Sequence, residues 1–144
     1  MPRKIRKLTE VQRTVEAWLK NGNTIKNEVT TLQETVDTYK AIGADTAALE
    51  RDIEKRLELI QSIFNVVTKV EDGRLKELLI KRYLMGKYWR QIGVDLNISH
   101  EHAYFGVHRK ALDAVMEILR ATGNNESVAK TRGYDDLAAI IESE

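Results

Sequence analysis

Proline occurs once in this chain, at position 2, so no later residue is barred from a helix interior by a pyrrolidine ring. With eight glycines in 144 residues, the long stretches between them favour helices over a many-turned β fold. The apolar residues carry the matching period. Ile5, Leu8, Val11, Val15 and Leu19 recur at helical spacing up to "NGN" at 21–23, which reads as a breaker with Thr24 capping the next helix. Ile25, Val29, Leu32, Val36 and Tyr39 then step by four and three, a seam of heptad type. "AIGAD" ends that segment: Gly43 suits a left-handed C-terminal position, and Asp45 or Thr46 suits an N-cap. Leu49, Ile53, Leu57, Ile60, Phe64 and Val67 mark a further long helix. The expected N-terminal region, 1–72, is a helix followed by a long antiparallel helical hairpin. Its wide apolar face points to a homodimer or higher oligomer, against an intramolecular bundle that packs everything internally.

Cysteine is absent, which excludes disulfides and thiolate metal sites. No apolar run approaches the roughly 20 residues that a bilayer crossing needs, so a soluble cytoplasmic protein without membrane contact is expected. The net charge of +1 conceals strong segregation: residues 1–27 carry +5, 28–72 carry −5, 73–112 carry +5 and 113–144 carry −4. Two basic blocks separated by acidic ones suit contact with a polyanion, although alternating surface charge alone can look similar.

The second basic block has internal organisation. "RLKELLIKRYLM" reads as a helix closed by Gly86, and "WRQIGVDL" as a short helix with Trp89, Ile92 and Leu96 inward and Gly93 small enough for close approach. In the turn "NIS", Asn97 tolerates a left-handed backbone, Ile98 plugs the core and Ser99 caps the next helix. Such a turn predicts helix-turn-helix geometry over 73–121, with the last helix reading a DNA major groove. Ala103, Val107, Ala111 and Val115 form its inward stripe, leaving His100, Glu101, Tyr104 and Phe105 outward, His102 and His108 at the margins, and Arg109 further out. Glu101 can accept from cytosine and Phe105 can touch a thymine methyl. Lys87, Arg90, Arg109 and Lys110 suit phosphate contacts. The alternative is two packed helices joined by a tight turn, with no nucleic acid involved.

The stretch Leu78, Leu79, Arg82, Tyr83, Gly86, Trp89, Ile92, Gly93, Leu96, Ile98, Ser99, Tyr104, His108, Ala111 and Leu112 resembles region four of primary sigma factors. It is closer still to the sigma-like module of phage-encoded late transcription regulators of the RinA/ArpU type. The resemblance covers about a quarter of the chain. It implies a DNA-binding transcription regulator of phage or prophage genes, acting in the cytoplasm of a bacterial host, with RNA polymerase as a possible further partner. Base contacts in that family fall at the first, second, fifth and sixth positions after the serine, here His100, Glu101, Tyr104 and Phe105. Gly93 stands where alanine is usual, an exchange expected to be harmless. The interval from Ser99 to Ala111 and Leu112 is one residue longer than in sigma factors, and Gly106 marks where a bulge would absorb it.

Other chemistry has less support. His100 and His102 lie two residues apart, which splits them across a helix instead of stacking them for a metal. No phosphate-cradling glycine loop or activated nucleophile is apparent, so neither an enzyme nor a cofactor is expected. Rival readings are a phage small terminase subunit that recognises the packaging site, and a helical module that docks on RNA polymerase without binding DNA. After the polar "TGNNES", residues 122–144 are expected to be a linker and a short amphipathic segment built on Tyr134, Leu137, Ile140 and Ile141.

Overall fold

Thr9 opens the first helix with a reciprocal cap. Its hydroxyl accepts from the Gln12 amide at 3.1 Å, while the Gln12 side chain accepts from the Thr9 amide at 3.0 Å. The computed structural model describes residues 7–122, all-helical apart from the connections, so the tail segment expected around Tyr134 to Ile141 lies outside the described residues. Helix α1 spans Glu10–Ala41 and α2 spans Ala47–Thr68. Helix α3, Gly73–Leu79, widens into a π turn over Ile80–Leu84. Helix α4 is Trp89–Leu96. The last helix begins as α5, His100–His102, passes through a second π turn over Ala103–Val107, and continues as α6, His108–Thr122. No described helix is long and apolar enough to cross a membrane.

The break expected at "NGN" is absent. α1 runs straight through it, so the separate N-terminal helix and the first hairpin arm are one 32-residue helix. Gly22 is buried, and a Cβ built there would lie 3.1 Å from the Tyr83 carbonyl oxygen. The glycine thus lets α1 approach the first π turn, which outweighs the roughly 1 kcal/mol that a mid-helix glycine costs. Thr24 is no cap: its hydroxyl donates back to the Lys20 carbonyl at 3.2 Å within the helix.

At the end of α1, Gly43 adopts φ +83°, as the sequence predicts, and its amide donates to Lys40 at 3.1 Å. Asp45 then accepts from the Ala47 amide at 3.0 Å. Thr46 holds the N-cap position without a side-chain cap bond. α2 returns along α1, with Lys40 and Glu50 3.3 Å apart near the turn and Glu28 and Arg56 3.9 Å apart further back. Ile25, Val36 and Ile53 are buried there.

The larger core joins the two halves of the chain. Val15, Trp18 and Leu19 of α1 and Ile63, Val66 and Val67 of α2 share one buried cluster with Leu78, Leu79, Tyr83, Ile92, Ala103, Val107, Leu112 and Leu119. Full burial of each large aliphatic side chain contributes about 1.5–3 kcal/mol. Residues on both sides of the 72/73 boundary contribute to this one core, and the boundary itself lies at the exposed Asp72 cap, whose carboxylate accepts from the Arg74 and Leu75 amides.

Candidate nucleic-acid interface

Everything around Ser99 depends on how tightly α4 turns into the last helix. Asn97 ends α4 in the left-handed region, φ 58° and ψ 45°. The Ile98 amide folds back to donate to the Gly93 carbonyl at 2.8 Å. Ser99 is extended, and its hydroxyl accepts from the His102 amide at 3.0 Å. A Cβ on Gly93 would lie 2.8 Å from the Ile98 carbonyl oxygen and 3.0 Å from the His100 amide nitrogen. Glycine at this position is what the close approach requires, because the turn's own backbone fills the space a side chain would take.

The π turn that follows places its extra residue around Gly106, with the His108 amide donating to Ala103. The His102 ring lies over Gly106, 3.1 Å from where a Cβ would be. Upstream of this turn, His100, Glu101 and His102 are exposed, and Phe105 is 36% exposed. His100 Nε2 lies 3.6 Å from Glu101 Oε1. Arg90 and Lys110 are also exposed.

Tyr104 differs from its neighbours. It is half-buried, edge-on to Trp89 at 5.2 Å and to Phe105 at 4.7 Å, and stacked on His108 at 5.4 Å. Much of this ring packs the helix against α4, leaving His100, Glu101, His102 and Phe105 as the exposed side chains at the start of this helix. Trp89 is likewise half-buried, with the Arg82 guanidinium 4.8 Å from its ring centre.

His108, expected at the margin of the outward face, is fully buried. Its Nε2 lies 2.5 Å from the Tyr83 hydroxyl and 3.8 Å from a Glu16 carboxylate oxygen. Burial, with Arg82 nearby, pushes the imidazole down to about 3, so it is neutral at neutral pH. Burial also raises the Tyr83 phenol, with Glu16 adding to the effect.

Two expected phosphate ligands are engaged within the protein. Lys87 Nζ lies 3.3 Å from Asp95 Oδ2, which Lys81 Nζ also meets at 3.0 Å. Hydrogen bonds from these two lysines hold the Asp95 carboxyl below the usual carboxylate range. Arg109 is half-buried and donates to the Lys7 backbone carbonyl. Sequence reasoning missed Asp95, whose partners lie in the first π turn and in the connection before α4, and the Lys7 contact, which is separated from Arg109 by 102 positions. Among the described residues, no three His, Asp or Glu side chains converge as a metal site would require.

Comparison with protein-family models, curated proteins and solved structures returns no match. The functional reading therefore stands on these residues and on the sequence resemblance alone.

Proposed function

We propose that α4, the Asn97–Ser99 turn and the helix beginning at His100 form a helix-turn-helix unit that reads double-stranded DNA in the major groove. One observation carries the reading. Gly93, left-handed Asn97 and capping Ser99 fix a sharp turn, and the helix that follows presents exposed His100, Glu101 and Phe105 in its first two turns. Arg90 and Lys110 flank them as phosphate ligands, and Lys87 joins when Asp95 releases it. Tyr104 acts mainly by buttressing Phe105 and Trp89.

The protein is a transcription regulator on this reading, following the sigma-like and phage-regulator resemblance of residues 78–112. The helical hairpin of α1 and α2 supports assembly. Leu57 is 50% and Phe64 45% exposed, seven residues apart along α2, which suits a seam with a second copy. Two reading units on symmetric half-sites would nearly add their binding free energies.

Gel retardation of a random-sequence duplex pool by the full chain tests the proposal. Retardation that weakens steeply with salt, followed by enrichment of one sequence on repeated selection, is the expected result. Absence of retardation at low salt would refute DNA binding.

A further inference from the structure

The sequence carries two basic blocks, 1–27 and 73–112, and the reading unit proposed above draws only on the second. The fold brings them together. Helix α1 lies across the connection from the first π turn to α4 and touches it at Tyr83, Leu84 and Gly86. A Cβ on Gly22 would lie 3.1 Å from the Tyr83 carbonyl oxygen, and one on Gly86, which holds φ +72°, 2.9 Å from Asn23 Oδ1. Lys26 Nζ donates to the Leu84 carbonyl at 3.5 Å. Lys87 comes next after Gly86, and its own carbonyl accepts from Arg82 Nη1 at 3.0 Å. From there the contacts run on to the reading helix: Arg82 over Trp89, Trp89 against Tyr104, and Tyr104 against Phe105. Lys26 is exposed, and the group it meets is a neutral carbonyl. The flanking acids of α1 face other cations, Glu16 at 3.5 Å from Lys20 and Glu28 at 3.9 Å from Arg56. The charge of Lys26 is therefore open to an anion, whereas Asp95 holds that of Lys87.

We propose that Lys26 is a DNA-phosphate ligand, forming with Lys87 and Arg90 a basic strip along the Gly86 turn that holds the backbone flanking the groove the reading helix enters. This rests on the DNA-binding reading above. It makes α1 part of the DNA interface as well as of the assembly. The contact ends there, because residues 28–72 carry −5 and are repelled by the duplex. Phosphate contacts carry no base information, so Lys26 adds affinity and salt dependence without changing which bases the helix prefers.

The test compares the wild-type full chain with Lys26→Gln, Lys26→Arg and Lys55→Gln, the last an exposed lysine of α2. All bind the same random-sequence duplex pool between about 50 and 200 mM salt. Loss of one phosphate contact in Lys26→Gln is expected to make the log–log salt slope shallower by about 0.9, with the selected sequence unchanged. Lys26→Arg keeps the charge and should keep the wild-type slope, and Lys55→Gln should keep it too. If wild type is retarded and Lys26→Gln has the same slope, the strip is refuted while the reading helix stands. A lower thermal midpoint with that unchanged slope would show Lys26 serving only the Leu84 carbonyl. An equal loss of slope in Lys55→Gln would also refute the strip, since any surface charge would then count alike. If wild type is not retarded at all, both proposals fall.

Discussion

Tyr83 Oη and His108 Nε2 meet at 2.5 Å in the protein interior, joining the π turn that ends the α3 segment to the first residue of α6. The pair sets the last helix against α3. Tyr83→Phe would leave the buried imidazole without this partner, so we expect a loss of about 1–3 kcal/mol in urea unfolding, with helix content retained.

His108 also makes stability depend on pH. Its folded value, about 3, lies below the ordinary histidine value near 6.5, so the unfolded chain binds the proton more readily in between. The contribution is complete above about pH 6.5 and is lost as pH falls from there towards 3, by up to about 1.4 kcal/mol per pH unit. Urea midpoints of wild type and His108→Gln across that window should differ in slope. Parallel curves would show that the imidazole is not buried neutral.

Gly22→Ala and Gly93→Ala separate helix preference from packing. Alanine favours a helix by about 1 kcal/mol, so both variants would be more stable if these glycines lay on open faces. Because the added methyl meets backbone atoms at 3.1 Å and 2.8 Å respectively, both should melt lower. Overpacking costs about 1–3 kcal/mol, and Gly93 should suffer more.

Asp95→Asn should free Lys81 and Lys87 from their shared carboxylate. The expected result is tighter sequence-independent DNA binding with a steeper salt slope. Weaker binding would place Asp95 in the interface itself.

His100→Ala and Glu101→Ala remove exposed side chains and should leave the thermal midpoint nearly unchanged. Selection from random duplexes should then enrich a different sequence. An identical selected sequence would remove both from the reading face.

Leu57→Glu together with Phe64→Glu should convert an assembled protein to monomers in sedimentation while preserving the helical spectrum. A wild type that is already monomeric would remove α2 as a seam. Rings of many copies would favour the packaging-protein reading over a dimeric regulator.

The features legible in the sequence are those decided by local backbone chemistry. Gly43, Gly86 and Asn97 all take positive φ, and Ser99 caps the helix that follows it. Gly22 misleads because glycine serves equally as a breaker and as a close-contact residue. Only Tyr83, far along the chain, distinguishes the two roles. His108 was readable in principle, since Ala111, Leu112 and Val115 follow it at three, four and seven residues on the buried stripe. Its polar side chain argued for the surface until a buried hydroxyl was found to receive it. The engagement of Lys87 and Arg109 was not readable, because Asp95 and the Lys7 carbonyl become neighbours only in the folded chain.

The continuity of α1 has a mechanical consequence. Its first half packs with the helix that begins at His100, and its second half pairs with α2, over about 48 Å without a break. Copies joined through α2 would hold their two reading helices on stiff struts, with no swivel at residues 21–23 to adjust the span. Such an assembly would act as a calliper. Moving one half-site by a few base pairs would turn it out of reach around the duplex, so the gap between half-sites becomes part of the recognised message, alongside the bases themselves.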